Sequence, residues 1–368
     1  MLRSSGGPPA ENLWEAVASF DNLWEAARLA RRGKRFKHSA AMFDRDLGPN
    51  LLRLLDELRT GEYRPSGYTS FTIFEPARRL ISAAPYRDRV VHHALCRVIE
   101  PVFERGFVFD SYANRTGKGT HAALDRATSY ARRFPYVLQA DIRLFFPSLD
   151  HQILLGRLRR RLARHDARLT DLCALILDGS NAQEPAEFYF PGDDLFTPSL
   201  RRRGLPIGNL TSQFWANVYL DAFDHFVKDD CGVKGYVRYV DDFLLFGDSK
   251  PALHELTQRC RDKLASLRLL LHPRKTRVYP VSEGIPFLGF RVWPTHRRLL
   301  PGSVKRARRS LARLETLAEA VPRIRAWIAH AAHGDTYGLR RTLLAPVVIT
   351  SQAGGSRADL RDPEQQSP

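Results

Sequence analysis

The stretch Tyr236-Val-Arg-Tyr-Val-Asp-Asp-Phe-Leu-Leu-Phe-Gly247 constrains this chain more than any other. Val237, Tyr239, Phe243, Leu244, Leu245 and Phe246 form a strong β pattern. Asp241 and Asp242 interrupt it with no Gly, Pro or Asn beside them. Adjacent carboxylates next to buried apolar strands are costly unless a cation compensates them. On this segment alone, a solvated hairpin tip and a cation site are both compatible with the pattern.

A second segment, Val137-Leu-Gln-Ala-Asp-Ile-Arg-Leu-Phe-Phe146, closes a short apolar strand with a single acid, Asp141. One reading is a strand-end Asp at a turn. The other brings Asp141 beside Asp241 by strand pairing. Mg²⁺ keeps few protein ligands, so a pair of ions needs shared carboxylates. Asp141 and Asp241 would bridge two Mg²⁺ ions, with the backbone carbonyl of Ile142 an extra ligand. Asp242 either binds metal directly or tunes the site. Such a site suits transfer of a nucleotide to a primer 3′-hydroxyl with pyrophosphate leaving.

Tyr239-Val240-Asp241-Asp242 resembles the aromatic-x-Asp-Asp signature of reverse transcriptases. The segment around Asp141 is similar to that family's first catalytic motif, and the order and separation of the two motifs fit. Residues 204–221, Gly-Leu-Pro-Ile-Gly-Asn-Leu-Thr-Ser-Gln and onward, resemble a block that lies under template and incoming nucleotide. Ile207 stands where retroviral enzymes have Gln. That aliphatic residue, with segments 85–124 and 327–340, looks like the reverse transcriptases of diversity-generating retroelements, and the resemblance covers roughly residues 20–345. It implies an RNA-directed DNA polymerase that copies a template-repeat RNA into adenine-mutagenised cDNA. It also implies a small basic oligomeric accessory protein as partner, beside RNA template, DNA primer and dNTPs. Group II intron-like and retron reverse transcriptases are alternatives with the same chemistry. An RNA-dependent RNA polymerase and an inactive nucleic-acid-binding palm are further ones.

The resemblance carries roles to particular positions. Phe146 matches the steric gate against the ribose 2′-hydroxyl, while Phe145 reads equally well as core. Among Arg79, Arg87 and Arg89, Arg79 is expected to take the triphosphate, since a guanidinium fork suits phosphate oxygens. Gly208 allows close backbone approach, and Ser212 and Gln213 put polar side chains on a first helical turn. Lys275 matches a lysine near the leaving pyrophosphate, and Lys118 is placed against template backbone. Lys305, Arg306 and Arg309 form a basic helical face for the duplex.

The expected fold is α+β, a right-hand polymerase with an antiparallel sheet covered by helices. A flexible N-terminus covers 1–19 and fingers cover 20–135. A palm covers 136–293, with a helical and irregular insertion at 151–203. A short helical thumb covers 294–345, and a disordered tail covers 346–368. The sequence after 345 is too short for an endonuclease or maturase domain, which argues against a complete group II intron protein. Lys and Arg total 57 against 40 Asp and Glu, a formal charge of +17 that favours a polyanionic partner. No apolar run is long enough for a membrane span and no signal peptide is evident, so a membrane partner is not expected. Cys96, Cys173, Cys231 and Cys260 are scattered, without a disulfide or zinc pattern. The bacterial cytoplasm, in a bacterial or phage-encoded protein, is the expected compartment.

Overall fold

The computed structural model of the chain describes residues 12–34, 37–74, 79–179, 188–312 and 317–344. The expected disordered tail lies outside the described residues, as does the turn expected near Pro76.

A four-stranded antiparallel sheet organises the molecule, in the order β4 (Gly235–Tyr239), β5 (Asp242–Gly247), β3 (Tyr136–Asp141), β6 (Arg277–Pro280). Period-two alternation sends successive side chains to opposite faces. Leu138, Ala140, Tyr236, Phe243 and Leu245 point to one face and join a core with the helices Leu210–His225 and Lys250–Ser266. Val137, Val237, Leu244 and Phe246 point to the other. There they meet the helix Thr120–Ala131 and a second sheet of β7 (Ile285–Phe287), β8 (Phe290–Val292) and β9 (Arg297–Leu299). With both faces covered, the strands read as continuous apolar runs.

The N-terminal helices Phe20–Ala30, Leu47–Thr60 and Tyr86–Glu104 pack together beside the first of these cores. Val90, Val91, Ala94, Leu95 and Ile99 are buried on one stripe of the last helix, as their spacing predicts. Asp88 on the same helix is buried, and it accepts hydrogen bonds from the Tyr63 hydroxyl (2.9 Å) and Ser66 N–H (2.8 Å). The hairpin β1 (Thr69–Ile73) and β2 (Arg79–Ala83) projects from this layer.

Three boundaries differ from expectation. Residues 12–19 are not a flexible lead-in: Asn12 caps the helix Leu13–Val17, accepting from Trp14 N–H, and Trp14 and Val17 are buried. The pentapeptide that begins at Asn12 recurs at Asn22, yet Trp14 is 4% exposed and Trp24 is 46% exposed. Identical segments thus took different faces, because tertiary packing overrides local pattern. The stretch 151–203 is no appendage. Its helices His151–Leu162 and Ala167–Asp178 bury Leu154, Leu158, Leu162 and Leu169 in the main core. The break after 293 cuts a sheet, since β9 pairs with β8 in the register Phe290↔Leu299. Beyond it, the helices Pro301–Leu311, Leu317–Ala331 and Tyr337–Leu344 close around Leu311, Ala320, Ile324 and Leu344.

Candidate active site

The register of β3 against β5 places Asp141 directly opposite Asp242. Asp241 lies in the tight turn between β4 and β5, where Val240 takes a left-handed φ of 58°. Such a conformation in a β-branched residue costs about 1–3 kcal/mol and needs its surroundings to hold it. Ile142 N–H donates to the Asp241 carbonyl at 3.1 Å, and His272 N–H donates to the Asp141 carbonyl at 2.8 Å. Three carboxylates, from β3, β5 and the turn before β5, therefore share one sheet end. Burial, and then the neighbouring Asp141, push Asp241 up to about 6. Burial, followed by Asp241 and Asp141, pushes Asp242 up to about 7. Lys275 opposes both shifts, and its Nζ donates to Asp141 Oδ2 at 2.9 Å.

Behind the turn sits a cluster that the sequence reading missed. Arg238 is 1% exposed, facing the same way as Tyr236. Its guanidinium donates to both oxygens of Asp224 at 2.6 Å, to Asn217 Oδ1 at 3.2 Å and to Ser111 Oγ at 2.9 Å. It also donates to the Val240 carbonyl at 3.0 Å, and the Tyr236 hydroxyl donates to Asp224 at 2.6 Å. A buried ion pair is tolerated when every remaining donor finds an acceptor. Here one of those acceptors is the strained residue before Asp241, so the network holds the carboxylate turn to the helix Leu210–His225. The signal was present, because a charged residue on the inward face of a strand demands a buried partner.

One rim of the site is an arch between β2 and the 204–210 segment. Ser82 N–H donates to the Ile207 carbonyl at 3.1 Å. Asn209, also missed, accepts from Ala84 N–H at 3.1 Å and donates to the Ser82 carbonyl at 2.8 Å. Gly208 has φ +111°, and a Cβ there would stand 3.1 Å from Ile81 Cγ2. Of the three arginines in this region, Arg87 is tied to Glu57 and Asp88, and Arg89 donates to the Ala84 carbonyl at 2.8 Å. Arg79, at the exposed start of β2, is the one whose charge lowers Asp241.

Donor chemistry fits a hard divalent cation: the carboxylates are oxygen ligands whose mutual repulsion a cation would relieve. Among the described residues, no three His, Cys, Asp or Glu side chains converge on a single point in metal-holding geometry, and Asp141 is paired with Lys275.

The sequence of residues 75–292 matches the family model described as reverse transcriptase (RNA-dependent DNA polymerase). That is more than half of the chain, and it spans every carboxylate of the site. The chain belongs to the reverse transcriptase family. Its fold is the right hand of that family, with the four-stranded sheet as the palm. The chain is 25% identical to Protein YkfC of Escherichia coli (strain K12) over 328 residues, covering 77% of this chain and 83% of that protein. It is 26% identical over 152 residues to an uncharacterized 91 kDa protein in cob intron of Schizosaccharomyces pombe, covering 41% of this chain and 17% of that protein. Among solved structures it is similar to telomerase from Candida albicans in complex with a fragment of telomeric RNA. That match has 13% identity and a TM-score of 0.45, covering 78% of this chain and 56% of that one. Apo telomerase from Candida tropicalis aligns at 10% identity and a TM-score of 0.49, covering 66% and 50%. The chain thus spans about half the length of the solved chains it matches.

In this reverse transcriptase the remaining expected residues divide. Phe146 is half-buried, and its carbonyl accepts from Leu205 N–H at 2.9 Å, which ties the Asp141 segment to the arch. Phe145 is core. Gln213 is exposed on the first turn of its helix. Ser212 beside it is 1% exposed, with no hydrogen-bond partner for its hydroxyl, so it faces the interior rather than a nucleic-acid strand. Lys118 is held locally in this structure. Its ammonium donates to the Phe109 carbonyl at 2.9 Å and sits 3.1 Å from the centre of the Phe109 ring, so it braces its own loop. Lys305, Arg306 and Arg309 are exposed on the helix Pro301–Leu311, and Lys305 and Arg309 line a cleft of about 660 Å³. Among the described residues, no helix is long and apolar enough to cross a membrane.

Proposed function

We propose that this reverse transcriptase copies a template-repeat RNA into adenine-mutagenised cDNA for a diversity-generating retroelement. RNA-directed DNA polymerisation is the chemistry of its family. The finer reading rests on one observation: an aliphatic Ile207 in the arch that joins β2 to the nucleotide-facing helix. Without a polar side chain at that position, one hydrogen-bonding check on the nascent base pair is lost, and discrimination weakens.

In this reading Asp141, Asp241 and Asp242, with the carbonyl of Ile142, would hold two Mg²⁺ ions. Such ions would supply activation of the primer 3′-hydroxyl and charge neutralisation at the leaving pyrophosphate. Arg79 grips the triphosphate, and Lys275 leaves Asp141 to meet the departing pyrophosphate. Phe146 closes against a 2′-hydroxyl, Gly208 and Gln213 border the incoming nucleotide, and Lys305, Arg306 and Arg309 follow the product duplex. Residues 20–135 serve as fingers and the helices after Leu299 as thumb. A basic oligomeric accessory protein is the expected partner. The partial similarity to a protein in a cob intron favours, as a second reading, an intron-type element running the same reaction.

The test is to sequence cDNA made by the wild type and by Ile207→Gln on one adenine-rich RNA template. The retroelement reading expects errors concentrated opposite adenine in the wild type and reduced several-fold in the variant. A uniform, low error rate in the wild type contradicts it and leaves the polymerase assignment standing.

A further inference from the structure

The helix His151–Leu162 and the turn after it carry Arg157, Arg160, Arg161 and Arg164. Spacings of three and four residues gather these side chains on one side. They line a cleft of about 400 Å³ whose far wall is the later part of the helix Leu210–His225, at Asp221 and His225. The catalytic carboxylates are not among its lining residues.

Charge in this cleft is unbalanced. Arg161 donates Nε and Nη2 to the Val102 carbonyl at 3.2 and 3.0 Å. The Arg157 Nε is buried without an acceptor, and Asp221 Oδ1 is buried without a donor. Arg160 and Arg164 are exposed. His225 Nδ1 lies 2.6 Å from Asp229 and its Nε2 2.9 Å from the Gly106 carbonyl, with Asp221 Oδ1 3.6 Å from the same Nε2. Four guanidiniums therefore face one carboxylate. A buried donor with no acceptor is unfavourable, and an anion drawn against this guanidinium would offset it.

The geometry points to a second nucleic-acid site: this cleft binds a single strand of RNA, separate from the primer–template duplex, through its phosphates. Seven residues of helix span about 10 Å, enough to meet successive phosphates, and guanidinium forks take phosphate oxygens in pairs. Asp221 selects RNA, because its partly exposed carboxylate on the cleft wall accepts from a ribose 2′-hydroxyl that DNA lacks. A run of carboxylate side chains offers Asp221 no hydroxyl donor, whereas each ribonucleotide does. The inference leans on the polymerase reading only in that the chain handles RNA.

The experiment uses the full chain with its main cleft saturated by a DNA-primer/RNA-template duplex. Binding of labelled oligo(rU) is followed by fluorescence anisotropy across a salt series, beside oligo(dT) of equal length and the variant Arg160→Gln/Arg164→Gln. The site predicts saturable oligo(rU) binding that is about tenfold weaker in the variant, with the log–log salt slope reduced by about 1.4. It predicts weaker oligo(dT) binding that Asp221→Leu brings level with oligo(rU), and primer extension on a short template unchanged by the double arginine variant. Equal affinity of wild type and variant overturns the site, as does oligo(dT) binding as tightly as oligo(rU). Binding of polyglutamate in place of RNA assigns the cleft to a protein and overturns it too. Loss of primer extension in the arginine variant, with its fold intact by thermal unfolding, would merge the cleft with the template path and overturn its separateness.

Discussion

Arg238 and Asp241 stand three residues apart on one hairpin, and the protein treats their charges in opposite ways. Around Arg238 each charge is answered, with Asp224 taking two of its donors and Asn217, Ser111 and the Val240 carbonyl taking the rest. Around Asp241 three carboxylates crowd one sheet end, and Lys275 with the more distant Arg79 answers them only in part. The first cluster is closed and structural. The second carries a surplus of negative charge, as the proposed cation site requires. Imbalance of charge, and not burial alone, thus sets the proposed centre apart from the structural cluster. The arginine cleft repeats that imbalance with the opposite sign.

The sharpest way to break the comparison is to open the closed cluster. Arg238→Met leaves Asp224 buried and unpaired, and should cost about 3–5 kcal/mol of stability. The double variant Arg238→Met/Asp224→Leu should recover part of that loss, because the two residues share one network. Denaturant unfolding of the two variants decides it. If Arg238→Met unfolds with the wild type, the clamp behind the turn is not structural.

A buried polar group can also be kept neutral, and His92 is the case to compare. It is fully buried, with both ring nitrogens unpartnered, and burial, ahead of His93 and Arg89, holds it down at about 3 against an ordinary 6.5. The unfolded chain takes up this proton near 6.5 and the folded chain only near 3. Its contribution is therefore complete above 6.5 and is lost as pH falls from there toward 3. By about pH 4.5 the loss is on the order of 2–3 kcal/mol. His92→Phe should flatten this acid limb in a series of melts, and an unchanged limb would assign acid sensitivity to other groups.

The smallest effect expected belongs to the open cluster. Mg²⁺ at about ten times its dissociation constant should stabilise the fold by about 1.4 kcal/mol, and EDTA should remove the gain. Asp141→Asn should melt at one temperature with and without Mg²⁺. A rise of the same size in that variant would place the cation elsewhere.

Much of this was legible in the sequence. The apolar runs around Asp141 and Asp241 each hold residues for both faces of the sheet, so two covered strands and their pairing could be read from alternation and motif order. The helix Tyr86–Glu104 announced itself by its stripe of Val90, Val91, Ala94 and Leu95, although the stripe continues at Ile99 and not, as the spacing suggests, at the half-buried Val98. What escaped reading depends on long-range contacts. Asn209 bonds across to residues 82 and 84, and Asp224 meets Arg238 from another element, and neither residue type is special until the two segments meet. Ser212 escaped because a polar residue beside a motif need not face a ligand, and this one turns inward.

The most direct test of the central claim is RNA-templated extension of a DNA primer with dNTPs and Mg²⁺, measured together with thermal unfolding for the wild type and Asp241→Asn/Asp242→Asn. Extension should fall by more than about 10³-fold, while the melting temperature holds or rises as the repulsion around Asp141 is relieved. Extension that survives in the variant would contradict the account, and so would a variant that loses extension only because it no longer folds.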